Sequence, residues 1–285
     1  MKCLNSSIII HHFLITCNRP SYPLSPYFLT SSLPLFWHGS CVPNYSYVSF
    51  QTNFQDLTMS HNKRSINVYT IVDMDPEDVF TLEKAILSQA KSGQFSLVIY
   101  TWSYPVIILG YNQSTGDINI PAAVASHIPV VRRSTGGTGI VHYRDIGVSL
   151  ALPMYHPWAK SIGGLYHENR ETLARTLRHH GIETAVEPSV QYTPAPPLEI
   201  CFLNNGNDGL YFGGKRFMGS AQSRRHYGVL IHSHIHLSMR DDLYSSVFNV
   251  ELEIIKKHMI SAPLFWEDRE KLVYSIITTL SLIHI

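Results

Sequence analysis

Charged residues and long apolar runs are both scarce in this sequence. The 285 residues include 22 Lys and Arg against 21 Asp and Glu, which leaves a formal net charge of +1 at pH 7. A dedicated nucleic-acid-binding protein usually carries a strongly basic face, so this balance predicts no nucleic-acid partner. No stretch reaches the roughly 20 apolar residues that a membrane-spanning helix needs, so no membrane partner is predicted either.

Cysteine is also rare, and its positions are uneven. The chain has 4 cysteines, of which Cys3, Cys17 and Cys41 all lie near the amino terminus. This distribution does not fit the disulfide framework of a small secreted protein. Cys201 stands alone in the rest of the chain, where it is either a small buried hydrophobic residue or a reactive thiol.

The amino-terminal segment is the part of the chain with the fewest charges. Its charged side chains up to residue 58 are Lys2, Arg19 and Asp56 alone. One interpretation is a secretory signal, but the histidines at positions 11 and 12 interrupt its apolar stretch and no small-residue cleavage site follows. The interpretation that we favour is an extension over residues 1–58 that is non-native, disordered or poorly packed.

The remaining residues, 59–285, are predicted to form the folded domain of a cytoplasmic protein, because they open on an ordinary polar amino terminus. The sequence stops inside a helix that is predicted from about residue 266, with no capping residue to end it. We therefore expect this domain to be truncated at its carboxyl end.

Helical and strand-like segments alternate along this domain. Helices are predicted at residues 75–91, 165–180, 241–257 and from 266 onward. Strands are predicted at 96–102, 105–110, 130–133, 138–142, 148–152 and 229–238, with a hairpin around Gly213 and Gly214. Adjacent strands with short connections are typical of the α+β class, in which helices pack on a mixed, largely antiparallel sheet.

A glycine-rich segment at residues 132–142 is the first candidate for chemistry. Closely spaced glycines let the backbone approach a ligand and expose successive N–H groups, and adjacent arginines add fixed positive charge. The pattern is neither a Walker loop nor a dinucleotide-binding turn. It indicates a cradle for an anion or a carbonyl oxygen, with a glycine hairpin and surface arginines as the alternative. The candidate residues are Arg132, Arg133, Thr135, Gly136, Gly137, Gly139 and His142.

A second candidate is the basic segment at residues 213–225, which we interpret as a loop. Its bases are able to bind an acidic partner or to lower the pKa of a nearby thiol, although a solvated basic loop is the commoner outcome. Cys201 precedes this segment and follows a proline-rich stretch at 194–197, so it is predicted to lie at a loop mouth near cations. Such a position favours thiolate chemistry.

Three histidines alternate along the last predicted strand, at His232, His234 and His236. Alternate residues of a strand point to the same face, which is one way to present imidazoles to Zn²⁺. A ligating face normally includes a carboxylate or a thiolate as well, and the sequence shows no evident one. We therefore predict no metal and keep a zinc protein as a minor alternative.

In this order and spacing, the segments resemble the biotin/lipoate protein ligase superfamily, of the lipoate-protein ligase A-like type, and most of all its cysteine-dependent octanoyltransferases. The central matches are Arg-Arg-x-Thr-Gly-Gly-x-Gly-x-Val-His at 132–142 and Gly-Lys-Arg-x-x-Gly-Ser-Ala-Gln at 214–222. Further matches are at 100–105, 109–113, 201–202 and 230–232, so the resemblance covers residues 68–252.

The resemblance implies a fold, an activity and a set of residues. The fold is a catalytic domain related to class II aminoacyl-tRNA synthetases and biotin ligases. The activity is transfer of an octanoyl group from acyl carrier protein, through a thioester on Cys201, to a lysine of a lipoyl domain or of the glycine-cleavage H protein. No cofactor is implied. Arg216 and Lys215 are the candidates for the role of the family's catalytic lysine. The implied substrate-binding residues are those of the glycine segment together with Gly219, Ser220, Ala221 and His232.

Two departures from the family pattern accompany the resemblance. The family has a lysine where this chain has Arg216, and a guanidinium is larger and does not deprotonate. Lys215 is one residue earlier, which on a strand places it on the opposite face. The family often has Asp after the histidine of the glycine segment, where this chain has Tyr143, with Asp145 two residues further on.

Two alternatives share the predicted fold. An ATP-dependent lipoate-protein ligase, with ATP and Mg²⁺, would use the glycine and basic segments to hold an acyl-adenylate. In that mechanism Cys201 has no role, and the lysine that contacts the adenylate is the residue replaced by Arg216. The other alternative is a degenerate, non-catalytic paralogue.

Overall fold

The computed structural model describes residues 66–186, 199–203 and 208–281, together with the backbone of two strands near the amino terminus. Its main sheet has eight strands in the order β1-β2-β3-β4-β8-β11-β10-β9. These strands are β1 (Ser7–Phe13), β2 (Tyr45–Asn53), β3 (Ile66–Met74), β4 (Phe95–Trp102), β8 (Asp145–Pro153), β9 (Leu210–Phe212), β10 (Lys215–Arg225) and β11 (Gly228–His236). Only β3 and β4 pair in parallel, and the other neighbours are antiparallel.

A second sheet carries the glycine-rich segment. It has the order β6-β5-β7, with β5 parallel to β6 and antiparallel to β7. Its strands are β5 (Val106–Leu109), β6 (Val130–Arg132) and β7 (Ile140–His142). The glycine-rich segment therefore connects two strands that both border β5, which holds the two ends of the segment in place.

Helices cover both faces of the main sheet, and together the elements confirm the predicted α+β class. The helices are α1 (Pro76–Gln89), α2 (Ile120–Ala125), α3 (Ile162–His179), α4 (Asp241–Phe248), α5 (Leu252–His258) and α6 (Arg269–Leu280). Within the described residues, no helix is long and apolar enough to cross a membrane.

The start of α1 shows how local sequence sets an element. Asp75 caps the helix by accepting a hydrogen bond from the Glu77 backbone N–H at 3.1 Å, and Pro76 occupies the first turn. Proline suits that position because its missing N–H would have no partner there. After the helix, Gly93 has φ 80°, a left-handed conformation that ends the segment near its predicted boundary.

Two hydrophobic clusters lie on the two faces of the main sheet. On one face, Leu97 and Leu150 pack with Leu173 of α3 and Ile276 of α6. On the other face, Val98 packs with α1, α4 and the second sheet. The central strands β4, β8 and β11 are buried along their whole lengths. This burial makes the middle of the sheet a rigid base for the polar residues that it carries.

Several predicted elements differ in the structure. The helix predicted over 241–257 is two helices, because Asn249 adopts the left-handed conformation at φ 52° and ends α4. The hairpin at Gly213 and Gly214 is confirmed, with φ 55° and 78°. The basic segment beyond them is not a loop, since it continues as the long strand β10.

The predicted amino-terminal extension contains β1 and β2, which extend the main sheet through β3. The expectation that residues 1–58 are a non-native, disordered or poorly packed extension stays a prediction. The rest of that segment, the proline-rich stretch at 194–197 and the last residues, 282–285, lie outside the described residues. The boundaries of the predicted domain stay predictions.

Candidate functional site

A cavity of about 410 Å³ opens beside Cys201, between the glycine-rich segment and β10. Pockets that bind small molecules have volumes of this order. The cavity unites seven of the predicted site residues with four others. Its lining consists of Arg133, Gly136, Gly137, Thr138, Tyr166, Cys201, Asp208, Arg216, Ser220, Ala221 and Gln222.

Cys201 lies on a short turn that is hydrogen-bonded directly to the glycine segment. Its backbone N–H donates to the Gly139 carbonyl at 2.7 Å, and the Gly139 N–H donates to the Glu199 carbonyl at 2.9 Å. A side chain at Gly139 would not fit, because an added Cβ would lie 2.5 Å from the Phe248 ring. Cys201 is partly exposed and forms no disulfide with any residue that the structure describes.

The glycine segment is clamped by the two arginines at its start. Arg133, which is 4% exposed, donates from Nη2 to the carbonyl oxygens of Gly136 at 2.7 Å and Thr138 at 3.1 Å. Arg132 instead donates to the carbonyl oxygens of Gly110 and Gln113, each at 2.6 Å. Arg132 does not line the cavity. The arginines thus shape the backbone cradle, and Arg133 also brings positive charge to the cavity.

Arg216 is the most constrained cation of the site. It is 2% exposed and donates to the carbonyl oxygens of Met218 at 3.1 Å and Cys201 at 3.3 Å, while pairing with the Asp208 carboxylate at 2.5 Å. Burial by itself lowers the pKa of Arg216, but the negative charges of Asp208 and Cys201 outweigh burial and raise it. Arg216 is therefore a permanent positive charge at a set position beside the cysteine.

Lys215, the other candidate for the lysine's role, is not brought into the cavity. It is the first residue of β10, pairs with Phe212 across the hairpin, and does not line the pocket. Consecutive strand residues point to opposite faces, so the burial of Arg216 turns Lys215 away.

The remaining strand residues of the predicted site lie along β10. Ser220 and Ala221 line the cavity, and the Ser220 hydroxyl lies 2.8 Å from that of Ser233. Gly219 leaves room for the Phe202 ring, because an added Cβ would lie 2.6 Å from that ring.

Tyr166 and Asp208 are functional candidates that sequence reasoning missed. Tyr166 reaches the cavity from the second turn of α3, and its pKa is raised by burial and by the charge of Asp208. Asp208 accepts from Arg216 and, at 3.4 Å, from the Ser220 backbone N–H. The one signal for Asp208 was an isolated acid between Cys201 and the basic segment. Nothing in the sequence singled out Tyr166.

Three predicted residues, Thr135, His142 and His232, do not line the cavity. Thr135 Oγ1 is 2.9 Å from His232 Nε2, and both side chains are buried. His142 is stacked on Trp102, with ring centroids 4.8 Å apart. The role in substrate binding that the resemblance implies for these residues stays a prediction.

The histidine face does have matching carboxylates, contrary to the sequence-based expectation. Asp145 lies 2.6 Å from His142 Nδ1 and 2.7 Å from His236 Nδ1, and Glu83 lies 3.0 Å from His232 Nδ1. His142, Asp145 and His236 form a group with the residue types of a metal site. His142 Nδ1 and Asp145 Oδ2 form a hydrogen bond at 2.6 Å, and His236 Nδ1 lies 2.7 Å from Asp145 Oδ1, whereas atoms that share a zinc ion at about 2.0 Å lie roughly 3.3 Å apart.

Burial controls the ionisation of this polar cluster. The pKa values of His142 and His234 are well below the usual value, first because burial disfavours the charged ring and then because other histidines lie nearby. Burial likewise raises the pKa of Asp145 to about 6, partly offset by His236. The rings of His142 and His234 are therefore neutral at pH 7.

A partly exposed cysteine, a glycine-rich backbone wall and a buried arginine in one cavity are the components of an acyl-transfer catalytic domain. The chain belongs to the family described as the lipoyl protein ligase A/B catalytic domain, whose pattern matches residues 75–263. The membership predicted from the motifs is thereby confirmed.

Curated relatives of the chain carry the name octanoyltransferase LipM. The protein of Exiguobacterium sp. is 29% identical over 185 residues, which cover 62% of this chain and 67% of the relative. The protein of Moorella thermoacetica is 28% identical over 198 residues, which cover 66% of this chain and 70% of the relative.

Solved structures show the same fold. A lipoate-protein ligase A bound with ATP superposes with a TM-score of 0.56 at 17% identity, over 74% of this chain and 85% of that one. The bipartite lipoate protein ligase of Thermoplasma acidophilum gives a TM-score of 0.54 at 16% identity, over 74% and 83%. At these identities the likeness is one of architecture, and it confirms the predicted fold class.

Proposed function

We propose that this chain is an octanoyltransferase of lipoate biosynthesis that carries the octanoyl group as a thioester on Cys201. The observation that carries the proposal is the position of the partly exposed Cys201 in a cavity with Arg216 and the glycine cradle. The names of the curated relatives support the same reaction class, which is acyl transfer.

In the first step the Cys201 thiolate attacks the carbonyl carbon of an octanoyl thioester on acyl carrier protein. A new C–S bond forms, the carbonyl becomes an oxyanion, and the bond to the carrier's sulfur then breaks. The carrier leaves as a thiolate and takes a proton from solvent. Backbone N–H groups of the exposed residues Gly136 and Gly137 are the candidates for donation to the oxyanion.

In the second step a lysine amine of a lipoyl domain, or of the glycine-cleavage H protein, attacks the Cys201 thioester. The C–N bond forms, the C–S bond to Cys201 breaks, and the proton lost by the amine returns to the thiolate. Arg216 stabilises the thiolate through its charge in both steps, since it neither gains nor loses a proton. This reaction needs no cofactor.

The geometry favours transfer over ATP-dependent ligation. Arg216 is engaged by two backbone carbonyls and by Asp208, so it stands as a fixed charge next to the cysteine. An ATP-dependent ligase needs no cysteine, whereas Cys201 lines the cavity here.

Intact-protein mass spectrometry tests the proposal. The purified chain is mixed with octanoyl-acyl carrier protein without ATP, and we expect an octanoyl adduct that maps to Cys201 and disappears when a lipoyl domain is added. Labelling of the lipoyl domain only with ATP and octanoate would show a ligase instead. No labelling under either condition would show a non-catalytic paralogue.

Cys201→Ser is the matched control, because it replaces one sulfur by oxygen in the same side chain. We expect it to fold normally and to form no thioester. Turnover at the unmodified rate in this variant would exclude the thioester mechanism.

A further inference from the structure

Glu83 is a buried carboxylate that the proposed reaction does not use. It lies on α1 and is 1% exposed, and its Oε1 accepts from the Ser149 hydroxyl at 2.6 Å and faces His232 Nδ1 at 3.0 Å. Removing a carboxylate from water costs several kcal/mol unless hydrogen bonds and charges compensate it. Moving His232 away would leave the buried Glu83 carboxylate without this partner. The Glu83–His232 contact therefore holds the His232 ring in place.

His232 passes this constraint to the glycine segment. Glu83 Oε1 acts as an acceptor, so the ring carries a proton on Nδ1, and in the neutral ring Nε2 is then an acceptor. The Thr135 hydroxyl lies 2.9 Å from that Nε2. A carboxylate that orients a ring through one nitrogen fixes what the other nitrogen can bind, as in the outer shells of metal sites and catalytic triads.

Thr135 begins the turn that contacts the cysteine. Its carbonyl oxygen accepts from the Tyr111 backbone N–H at 3.0 Å, and four residues later the Gly139 carbonyl accepts from the Cys201 N–H at 2.7 Å. Between these two contacts, Gly136 and Gly137 form the wall of the cavity. A shift of the Thr135 side chain would therefore move the backbone of Gly136 and Gly137, which lines the cavity.

We propose that Glu83 is a positioning residue, which acts through His232 and Thr135 to hold the glycine segment in register with Cys201. The inference rests on the proposed role of Cys201 as the acyl carrier. This positioning role gives a functional reason for burying the Glu83 carboxylate. None of Glu83, His232 and Thr135 lines the cavity. Their effect is therefore on the position of the glycine segment and not on proton transfer to the acyl group.

Matched substitutions at Glu83 and Thr135, the two ends of the hydrogen-bonded series, test the proposal. Thr135→Val removes the hydroxyl at nearly constant volume, and Thr135→Ser keeps it. Glu83→Gln keeps the size of the side chain and removes the charge. At saturating octanoyl-acyl carrier protein, we expect Thr135→Val to slow acylation of Cys201 by about 10- to 100-fold and Thr135→Ser to lose far less. Half-saturating donor concentration should change by less than about threefold, because docking of the donor is untouched.

The double variant decides whether the two ends act as one unit. If Glu83 acts through Thr135, Glu83→Gln combined with Thr135→Val should be no slower than Thr135→Val alone. Ser149→Ala is the control, since it removes the other donor to Glu83 and leaves the His232–Thr135 contact in place. It should lower the melting temperature without slowing acylation. Fully multiplicative losses in the double variant, or equal losses in Ser149→Ala, would overturn the proposal.

A second readout separates this inference from the proposed function. The rate of Cys201 alkylation by iodoacetamide, followed by peptide mapping, reports the packing of the glycine segment without any acyl donor. We expect faster alkylation in Thr135→Val and Glu83→Gln than in the unmodified protein. An unmodified protein that never forms the octanoyl adduct would refute the proposed function. Variants with unchanged alkylation and acylation would refute the positioning role alone.

Discussion

The Arg216 guanidinium donates a hydrogen bond to the Cys201 carbonyl oxygen at 3.3 Å, although the two residues belong to different elements and are 15 positions apart in the chain. The contact joins the strand β10 to the turn that carries the thiol. It places a charge that cannot titrate beside a nucleophile that must ionise. The sharpest tests of the site concern the neighbours that keep this pair together.

Arg216→Lys should cost stability even though it restores the family's residue. A lysine ammonium does not span the two carbonyls and the carboxylate that the guanidinium reaches, so at least one buried acceptor loses its donor. We expect the free energy of unfolding to fall by about 2 kcal/mol in urea denaturation. Lys215→Arg, the reverse change at the half-exposed neighbouring position, should stay within about 0.5 kcal/mol of the unmodified protein.

Asp208→Asn should be more damaging than Arg216→Lys. It removes the negative partner of a guanidinium that is 2% exposed, so a buried charge loses its ion pair. The expected loss is about 3 kcal/mol of unfolding free energy, measured by thermal or urea denaturation. Asp242→Asn provides the comparison, since its pair with Arg240 is largely exposed and should contribute under about 1 kcal/mol. Equal losses of unfolding free energy in Asp208→Asn and Asp242→Asn would show that burial of the ion pair does not determine its contribution.

Gly139→Ala tests the close approach of the glycine segment to α4. The added Cβ would lie 2.5 Å from the Phe248 ring, which requires a shift of backbone or ring and should cost about 1 to 3 kcal/mol. At Gly136 an added Cβ meets nothing within 4 Å. Gly136→Ala should therefore keep a melting temperature near that of the unmodified protein. A large loss at Gly136 and none at Gly139 would show a different packing of the segment.

Stability should fall as the pH drops below about 6.5, because of the buried histidines. His142 and His234 have lowered pKa values when folded, so the unfolded state takes up two protons that the folded state does not. Asp145, with its pKa raised to about 6, holds one proton in the folded state that the unfolded state releases down to about pH 4, which offsets one of the two. The net effect is one excess proton on the unfolded state, so the free energy of unfolding should fall by roughly 1 kcal/mol per pH unit between pH 6 and 5.

His234→Leu isolates one of these protons. The His234 Nδ1 has no hydrogen-bond partner among the described residues, so an apolar side chain of similar size should fit the site. Urea denaturation at several pH values should then show a flatter pH dependence, with stability at pH 7 retained. An unchanged slope would mean that His234 does not remain neutral in the folded state.

Local chemistry explains the elements that sequence reasoning placed correctly. Asp75 and Pro76 mark the start of α1, and the left-handed Gly213 and Gly214 mark the β9–β10 turn, because each residue type satisfies a backbone demand within a few positions. The failures came from non-local effects. Asn249 is a residue type that sometimes ends a helix, but no Gly or Pro within residues 241–257 reinforces that signal. The bases of β10 obscure a strand that is stabilised by its pairing with β11.

The sequence by itself determined the family, the class of fold and the identity of Cys201 as the candidate nucleophile, since these depend on residue types in a fixed order. Only the tertiary structure decided what the charged and polar residues do. The resemblance implies that Arg132 and His142 bind substrate; in the structure Arg132 donates to a backbone carbonyl, His142 lies 2.6 Å from the Asp145 carboxylate, and neither lines the cavity. Such roles depend on which long-range neighbours a side chain meets after folding, and burial then sets its ionisation. Sequence spacing carries no record of either.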